Sequence, residues 1–257
     1  MKPRFFWIAF AVAAFLILAN CGKPKDSEPP APAASVDPAT AASISGTVTL
    51  AGAPPTLQPI DMGATSVCTR LNPSPVMPPV VVTGKDGALA NVVIYVKDGL
   101  KSYQFDTPKA PVVLDQKACM YAPHVVALMT GQPFEIRNSD PTRHDVHPLS
   151  EHNRQWSTSQ PPGAAPLKSR FTRPELAIPI ICSAHPWMQA FVFAFDHPYF
   201  AVTSTTGKFE LINLPPGTYT IEAWHERYKT LDQTVTLAPH ESKSISFVFR
   251  RSAPPGN

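Results

Sequence analysis

From residue 43 onward, apolar and polar residues alternate over short runs, and turn residues break each run before it reaches helical length. A period of two is the signature of a strand with one face buried, and no stretch of twelve residues carries a convincing helical period. The pattern predicts strands at 44–50, 79–83, 90–97, 110–115, 123–129, 133–138, 144–149, 168–173, 176–182, 189–195, 199–204, 208–214, 217–224, 232–238 and 243–250. That many short strands implies sandwiches and an all-β fold. The 31 prolines and the 16% of charged residues suit strands joined by stiff loops better than helical bundles. Residues 150–167, with Gln160-Pro161-Pro162-Gly163, read as a long polar connection.

The start has a different character. Lys2 and Arg4 precede an apolar run, Phe5 to Ala19, that is too short for a comfortable bilayer span and reads as an export signal. Cys21 follows at once, and Leu18-Ala19-Asn20-Cys21 resembles the lipobox of bacterial lipoproteins, with Asn20 departing from the usual small residue. That resemblance implies acylation of Cys21, a membrane anchor, and residence in the periplasm or cell envelope. The expected organisation is a signal over 1–21, a Pro/Ala-rich tether over 22–42 and a short tail over 251–257. The net charge of +3 comes partly from the termini, and no interior basic run is interleaved with aromatics, so nucleic acid is not an expected partner.

The sharpest chemistry lies in Cys182-Ser183-Ala184-His185-Pro186-Trp187-Met188, a tight loop between two predicted strands. A soft thiolate, a borderline imidazole and a weak thioether are the ligands that copper takes in electron-transfer sites. Zinc gains little from a thioether. Upstream, His144 and His147 compete for a remote position. Three residues along a strand reverse the facing, so only one of them can point at the loop. His124, His152, His197 and His240 lack companions at ligand spacing and read as surface or turn residues. His225 and Glu226 directly follow the predicted strand 217–224; as adjacent residues of an extended chain they point to opposite faces and read as surface or packing residues rather than a reactive pair.

The C-x-x-H-P-aromatic-M loop and the H-x-V-H strand together resemble the cupredoxins, and among them the amicyanins, over roughly residues 110–196. The resemblance implies a Greek-key sandwich with one mononuclear type 1 (blue) copper site, held by His144, Cys182, His185 and Met188, and an electron carrier that meets a transient redox protein partner. His147 is then left to a loop or to solvent. One departure is Asp145, where the family usually has an Asn that ties the two ligand loops. The same frame puts His185 on the outermost loop with its ring edge toward solvent, beside a Pro186 and Trp187 patch that would serve partner docking; the alternative is that Trp187 turns inward as core packing. Thr206-Gly207-Lys208-Phe209 through His225-Glu226, around a Pro-Pro-Gly turn, resembles the carboxypeptidase regulatory-like, transthyretin-like sandwich module, and residues 45–54, from Ser45-Gly46-Thr47 to Pro54, resemble its opening strand. The expected domains are 43–105, a β segment that could pair with the C-terminal sandwich, then 106–196 with copper, then 197–250.

Four cysteines remain to be placed. With Cys21 acylated and Cys182 on metal, Cys68 and Cys119 are left as one disulfide in an oxidising compartment. The alternatives are two buried thiols, or a second metal site using Cys119 and His124. No Ser-His-Asp set, phosphate loop or zinc-protease motif is present, so the sequence reading is a carrier and not an enzyme. The rival readings are a non-catalytic extracytoplasmic binding module for carbohydrate or protein with weak or no copper, and a copper storage or delivery protein.

Overall fold

The computed structural model describes residues 35–250; the expected export signal, Cys21, most of the expected tether and the expected tail lie outside the described residues. In chain order the strands are β1 (Ala42–Ala51), β2 (Val93–Asp98), β3 (Val112–Lys117), β4 (Met120–Ala122), β5 (Val125–Met129), β6 (Phe134–Asn138), β7 (His144–Pro148) and β8 (Thr158–Gln160). They continue as β9 (Leu167–Ser169), β10 (Glu175–Ile181), β11 (Gln189–Phe195), β12 (Phe200–Val202), β13 (Lys208–Leu214), β14 (Gly217–His225), β15 (Lys229–Leu237) and β16 (Ser242–Arg250), with one α-helix, α1 (Ser66–Leu71). No helix among the described residues is long and apolar enough to cross a membrane.

These strands form four sheets. An outer sandwich packs β13-β1-β16 against β12-β2-β14-β15, with Ile44, Val48, Ile94, Ile221, Phe247 and Phe249 between them. An inner sandwich packs β4-β3-β6-β9 against β5-β11-β10-β7-β8, around Leu114, Leu128, Phe134, Ile136, Ile180 and Val192. The chain enters the outer sandwich with β1, which pairs in parallel with β16, and with β2, which pairs with β12 and β14. It then runs through the whole inner sandwich and returns to complete the outer one. Close pairing requires glycine at position 46, where a Cβ would sit 1.9 Å from the Ile245 carbonyl oxygen.

The two sandwiches also meet back to back, and the sequence shows it. In β2, four consecutive apolar residues are buried because Ile94 and Val96 face the outer core while Val93 and Tyr95 face the inner sandwich. In β11, Ala190, Val192 and Ala194 fill the inner core, and Phe191, Phe193 and Phe195 point at the outer sandwich, where Phe193 meets Trp224 with ring centroids 4.8 Å apart. Each phenylalanine fully buried in this way contributes roughly 2–3 kcal/mol of transfer free energy. A polar tie crosses the same junction: His124 Nε2 lies 2.7 Å from Glu226 Oε1, and His124 Nδ1 lies 3.1 Å from the Gln189 carbonyl.

Several expectations need correction. Residues 79–83 are not a strand; Pro78 and Pro79 offer no N–H to a ladder, and only an isolated bridge forms at Thr83. The predicted strand at 168–173 stops at Ser169, because the amides of Thr172 and Arg173 are taken by the Asn153 side chain. The polar connection of 150–167 contains β8, and α1 has no counterpart among the predicted elements. His124 and His197 do lie in bends but are buried there rather than at the surface, His124 against Glu226, 102 residues distant, and His197 accepting the Tyr199 N–H two residues on.

Candidate metal centre

The centre is built at one end of the inner sandwich, where β7 begins and the β10–β11 connection turns. The loop closes by two backbone bonds, Met188 N–H to the His185 carbonyl at 2.9 Å and Cys182 N–H to the Met188 carbonyl at 3.2 Å. The turn brings Cys182, His185 and Met188 inward together while Ser183 and Pro186 stay exposed. His144, the first residue of β7, joins them from the neighbouring strand, and all four are buried, at 0, 2, 3 and 0% exposure for His144, Cys182, His185 and Met188. The donor atoms of His144, Cys182 and His185 lie within 4.8 Å of one another. His144 Nδ1 is 2.9 Å from His185 Nδ1, which is 3.6 Å from Cys182 Sγ. His147 points away, half-buried in the pairing of β7 with β10.

A carboxylate that the sequence reading passed over organises this cluster. Asp140 is buried and accepts from His144 Nε2 at 2.9 Å, from Ala118 N–H at 2.6 Å and from Cys119 N–H at 2.8 Å. It therefore fixes the tautomer of His144, turns Nδ1 toward the other donors, and holds the β3–β4 turn in which Ala118 and Cys119 both take positive φ. The local signal was an acidic residue four positions before His144 across Pro141.

Charge follows the same geometry. Burial opposes a proton on His144, but the Asp140 carboxylate and the Cys182 sulfur outweigh it and raise its pKa to about 9. Burial and the charge on His144 push His185 down. Burial raises the Cys182 thiol, yet His144 and the amides of Asp145, Ala184 and His185 bring it below the usual thiol range. With Asp140 on Nε2, His144 presents Nδ1 to His185 Nδ1 at 2.9 Å, at the point where the donor atoms converge. Two imidazole nitrogens and a stabilised thiolate converging on one dry point, with a thioether on the same loop, fit a soft or borderline cation such as copper.

Asp145 does the work expected of an Asn at that place. Its N–H points at Cys182 Sγ at 3.3 Å, and its carboxylate accepts from Ser183 Oγ at 2.8 Å, so it ties β7 to the ligand loop.

The surroundings of His185 differ from expectation. Residues 52–79 leave the outer sandwich and lie against the inner one, with Met62 and Cys68 in its core. The segment is fastened by Ile60 N–H to the Val76 carbonyl at 2.8 Å, by Asn72 Nδ2 to the Ala118 carbonyl at 2.9 Å, and by a disulfide between Cys68 on α1 and Cys119. While that bridge is closed neither alternative for these cysteines holds, and its sulfurs lie within 4.8 Å of a His185 ring nitrogen. Trp187 is half-buried, its ring centroid 5.2 Å from that of His185 and its indole N–H on the Cys119 carbonyl at 2.9 Å. The ring edge of His185 is therefore covered instead of facing solvent, and the Pro186 and Trp187 patch is reduced to an exposed proline and part of an indole.

No protein-family model matches the chain, and a search of curated proteins gives no match. Among solved structures, a copper-containing nitrite reductase from Thermus scotoductus is similar at 21% identity and TM-score 0.32, over 40% of this chain and 26% of that one. A purple cupredoxin from Nitrosopumilus maritimus is similar at 16% identity and TM-score 0.28, over 32% of this chain and 97% of its own. An oxidised amicyanin variant is similar at 20% identity and TM-score 0.29, over 33% and 81%. Likenesses this distant add nothing to the donor geometry described above.

Proposed function

We propose that the chain is an exported type 1 copper protein that carries electrons, anchored to a membrane of the cell envelope through Cys21 and exchanging electrons with a transient protein partner. The observation that carries this reading is the buried triad of His144, Cys182 and His185, with donor atoms within 4.8 Å of one another and Met188 buried on the same loop. Copper would supply a one-electron couple, Cu(II)/Cu(I), at this point. The protein's part is to keep the donors in place through both states. Asp140 holds His144, Asp145 fixes the ligand loop through Ser183, and the surrounding core excludes water. A rigid, dry donor set needs little rearrangement when charge changes, which favours transfer over bond-making chemistry. Electron exchange is assigned to the surface at Pro186 and the exposed part of Trp187, whose ring already touches that of His185.

The test is the visible spectrum of the oxidised, disulfide-intact protein with one equivalent of Cu(II). An intense thiolate-to-copper charge-transfer band is expected, lost in Cys182→Ser and kept in Met188→Leu with a changed potential. A colourless wild-type protein without a narrow-hyperfine copper signal would remove the reading.

A further inference from the structure

His185 belongs to two donor clusters. Besides the triad with His144 and Cys182, its ring nitrogen lies within 4.8 Å of both Cys68 Sγ and Cys119 Sγ, and all three side chains are buried. Joined as a disulfide, the two sulfurs are poor ligands. We propose that, while this pair is reduced, Cys68, Cys119 and His185 form a second site for a soft d10 cation, Cu(I) or Zn(II), and that closing the disulfide abolishes it.

The geometry permits it. Two thiolates on one ion at about 2.3 Å stand about 3.8 Å apart in a tetrahedral arrangement, and side chains rooted on Cα atoms 5.6 Å apart can reach that spread by rotating about χ1. The backbone on both sides is held independently of the bridge. Asp140 fixes the Cys119 turn, and Asn72 joins the Cys68 carbonyl to the Ala118 carbonyl through its side-chain amide, at 3.0 and 2.9 Å. The state is available in two ways. A newly made chain passes through it before its bridge closes. A dithiol reductant also generates it, giving two electrons and two protons to convert the disulfide into two thiols while itself becoming a disulfide; each thiol then loses its proton on taking the metal.

Since one imidazole serves both clusters, one ion occupies one cluster or the other. The bridge therefore decides where a metal goes: with it open, a soft ion is drawn to Cys68 and Cys119, and with it closed, only the set containing His144 and Cys182 remains. This rests on the proposed copper reading in one respect, that His185 serves as a ligand in both sites.

The experiment uses the full chain carrying Cys182→Ser, so that the first site lacks its thiolate. Cu(I) is titrated against a chromogenic Cu(I) chelator, with the protein oxidised or reduced and desalted without oxygen, and X-ray absorption reports the bound sulfurs. The reduced protein should hold one Cu(I) by two sulfurs and one nitrogen, while the oxidised protein loses the ion to the chelator. Adding His185→Ala should weaken Cu(I) by more than the roughly tenfold to hundredfold that an outer-sphere partner is worth, and adding His144→Ala should not. Equal affinity in the oxidised and reduced forms, or Cu(I) binding indifferent to His185→Ala, would overturn the site. Should the reduced chain lose its circular-dichroism strand signal, Cu(I) must restore it in the presence of both cysteines and fail to do so in Cys68→Ser; no recovery counts against the proposal. The colour of the oxidised wild-type protein with Cu(II) is a separate measurement, so the two readings fail separately.

Discussion

Each sandwich buries one histidine completely, His144 in the inner and His225 in the outer, and the two are driven in opposite directions. His144 has a carboxylate on Nε2 and a sulfur nearby, and its pKa rises to about 9 despite burial. His225 lies against the rings of Tyr228 and Phe249, accepts the Arg227 N–H at Nδ1 and, among the described residues, leaves Nε2 without a hydrogen-bond partner. Burial, with the charges of His124 and Arg227, takes its pKa down to about 4. The difference separates a histidine that is placed from one that is packed. A histidine held by a fixed anion keeps one nitrogen aimed and the other free for a ligand, while a histidine among aromatics is kept neutral and contributes shape.

The comparison breaks most severely at Asp140. Asp140→Asn replaces an acceptor of three hydrogen bonds by a group that cannot accept all three and removes the counter-charge to His144. A loss of roughly 3–5 kcal/mol is expected for a buried pair broken on one side, read as a lower urea midpoint of the metal-free protein. Copper affinity should fall as well, by about tenfold to a hundredfold. An unchanged midpoint and affinity would mean that Asp140 positions nothing.

His225 gives the next largest effect, and its sign is set by neutrality in the fold. The folded protein leaves it uncharged down to about pH 4, whereas the unfolded chain takes up a proton below about 6.5. Its contribution is therefore intact above pH 6.5 and declines as pH falls toward 4, by about 3 kcal/mol in all. Urea denaturation between pH 7 and pH 4 should show that decline in the wild type and a flatter profile in His225→Leu, which loses about 1 kcal/mol at pH 7 with the Arg227 hydrogen bond. Parallel profiles would place the acid-sensitive group elsewhere.

What the sequence discloses divides along the same line, between local and remote causes. The ligand loop from Cys182 to Met188 is legible because its donors share seven residues and one turn. The strand character of β11 is legible although both its faces are buried, since Ala and Val alternate with Phe. The cover over His185 is not legible: residues 60–76 carry no apolar period, and their place depends on Cys119 and Ala118, about fifty residues away by the 51-residue separation of the bridged cysteines. His124 reads as a surface or turn residue, and its burial is not legible because its partner, Glu226, is 102 residues distant. Asp140 has a local clue, but its value depends on two amides of the β3–β4 turn that only the fold brings to it.

The smallest effect tests whether Asp145 acts as a hydrogen-bond acceptor or as a charge. Its carboxylate is half-exposed and is held below the usual range first by the Ser183 hydroxyl, so it stays ionised at neutral pH. Asp145→Asn keeps an oxygen that can accept from Ser183 and keeps the backbone N–H on Cys182 Sγ, so stability should change by less than about 1 kcal/mol. Asp145→Ala removes the acceptor and frees the ligand loop at Ser183, and should cost about 1 kcal/mol more than the Asn variant. The copper potential separates the two roles. Loss of an anion near the site destabilises Cu(II) relative to Cu(I), so both variants should have a higher reduction potential than the wild type, and the rise in Asp145→Asn should shrink with salt because the group is partly solvated. A potential that moves in Asp145→Ala and stays at the wild-type value in Asp145→Asn would show that the tie to Ser183 matters and the charge does not.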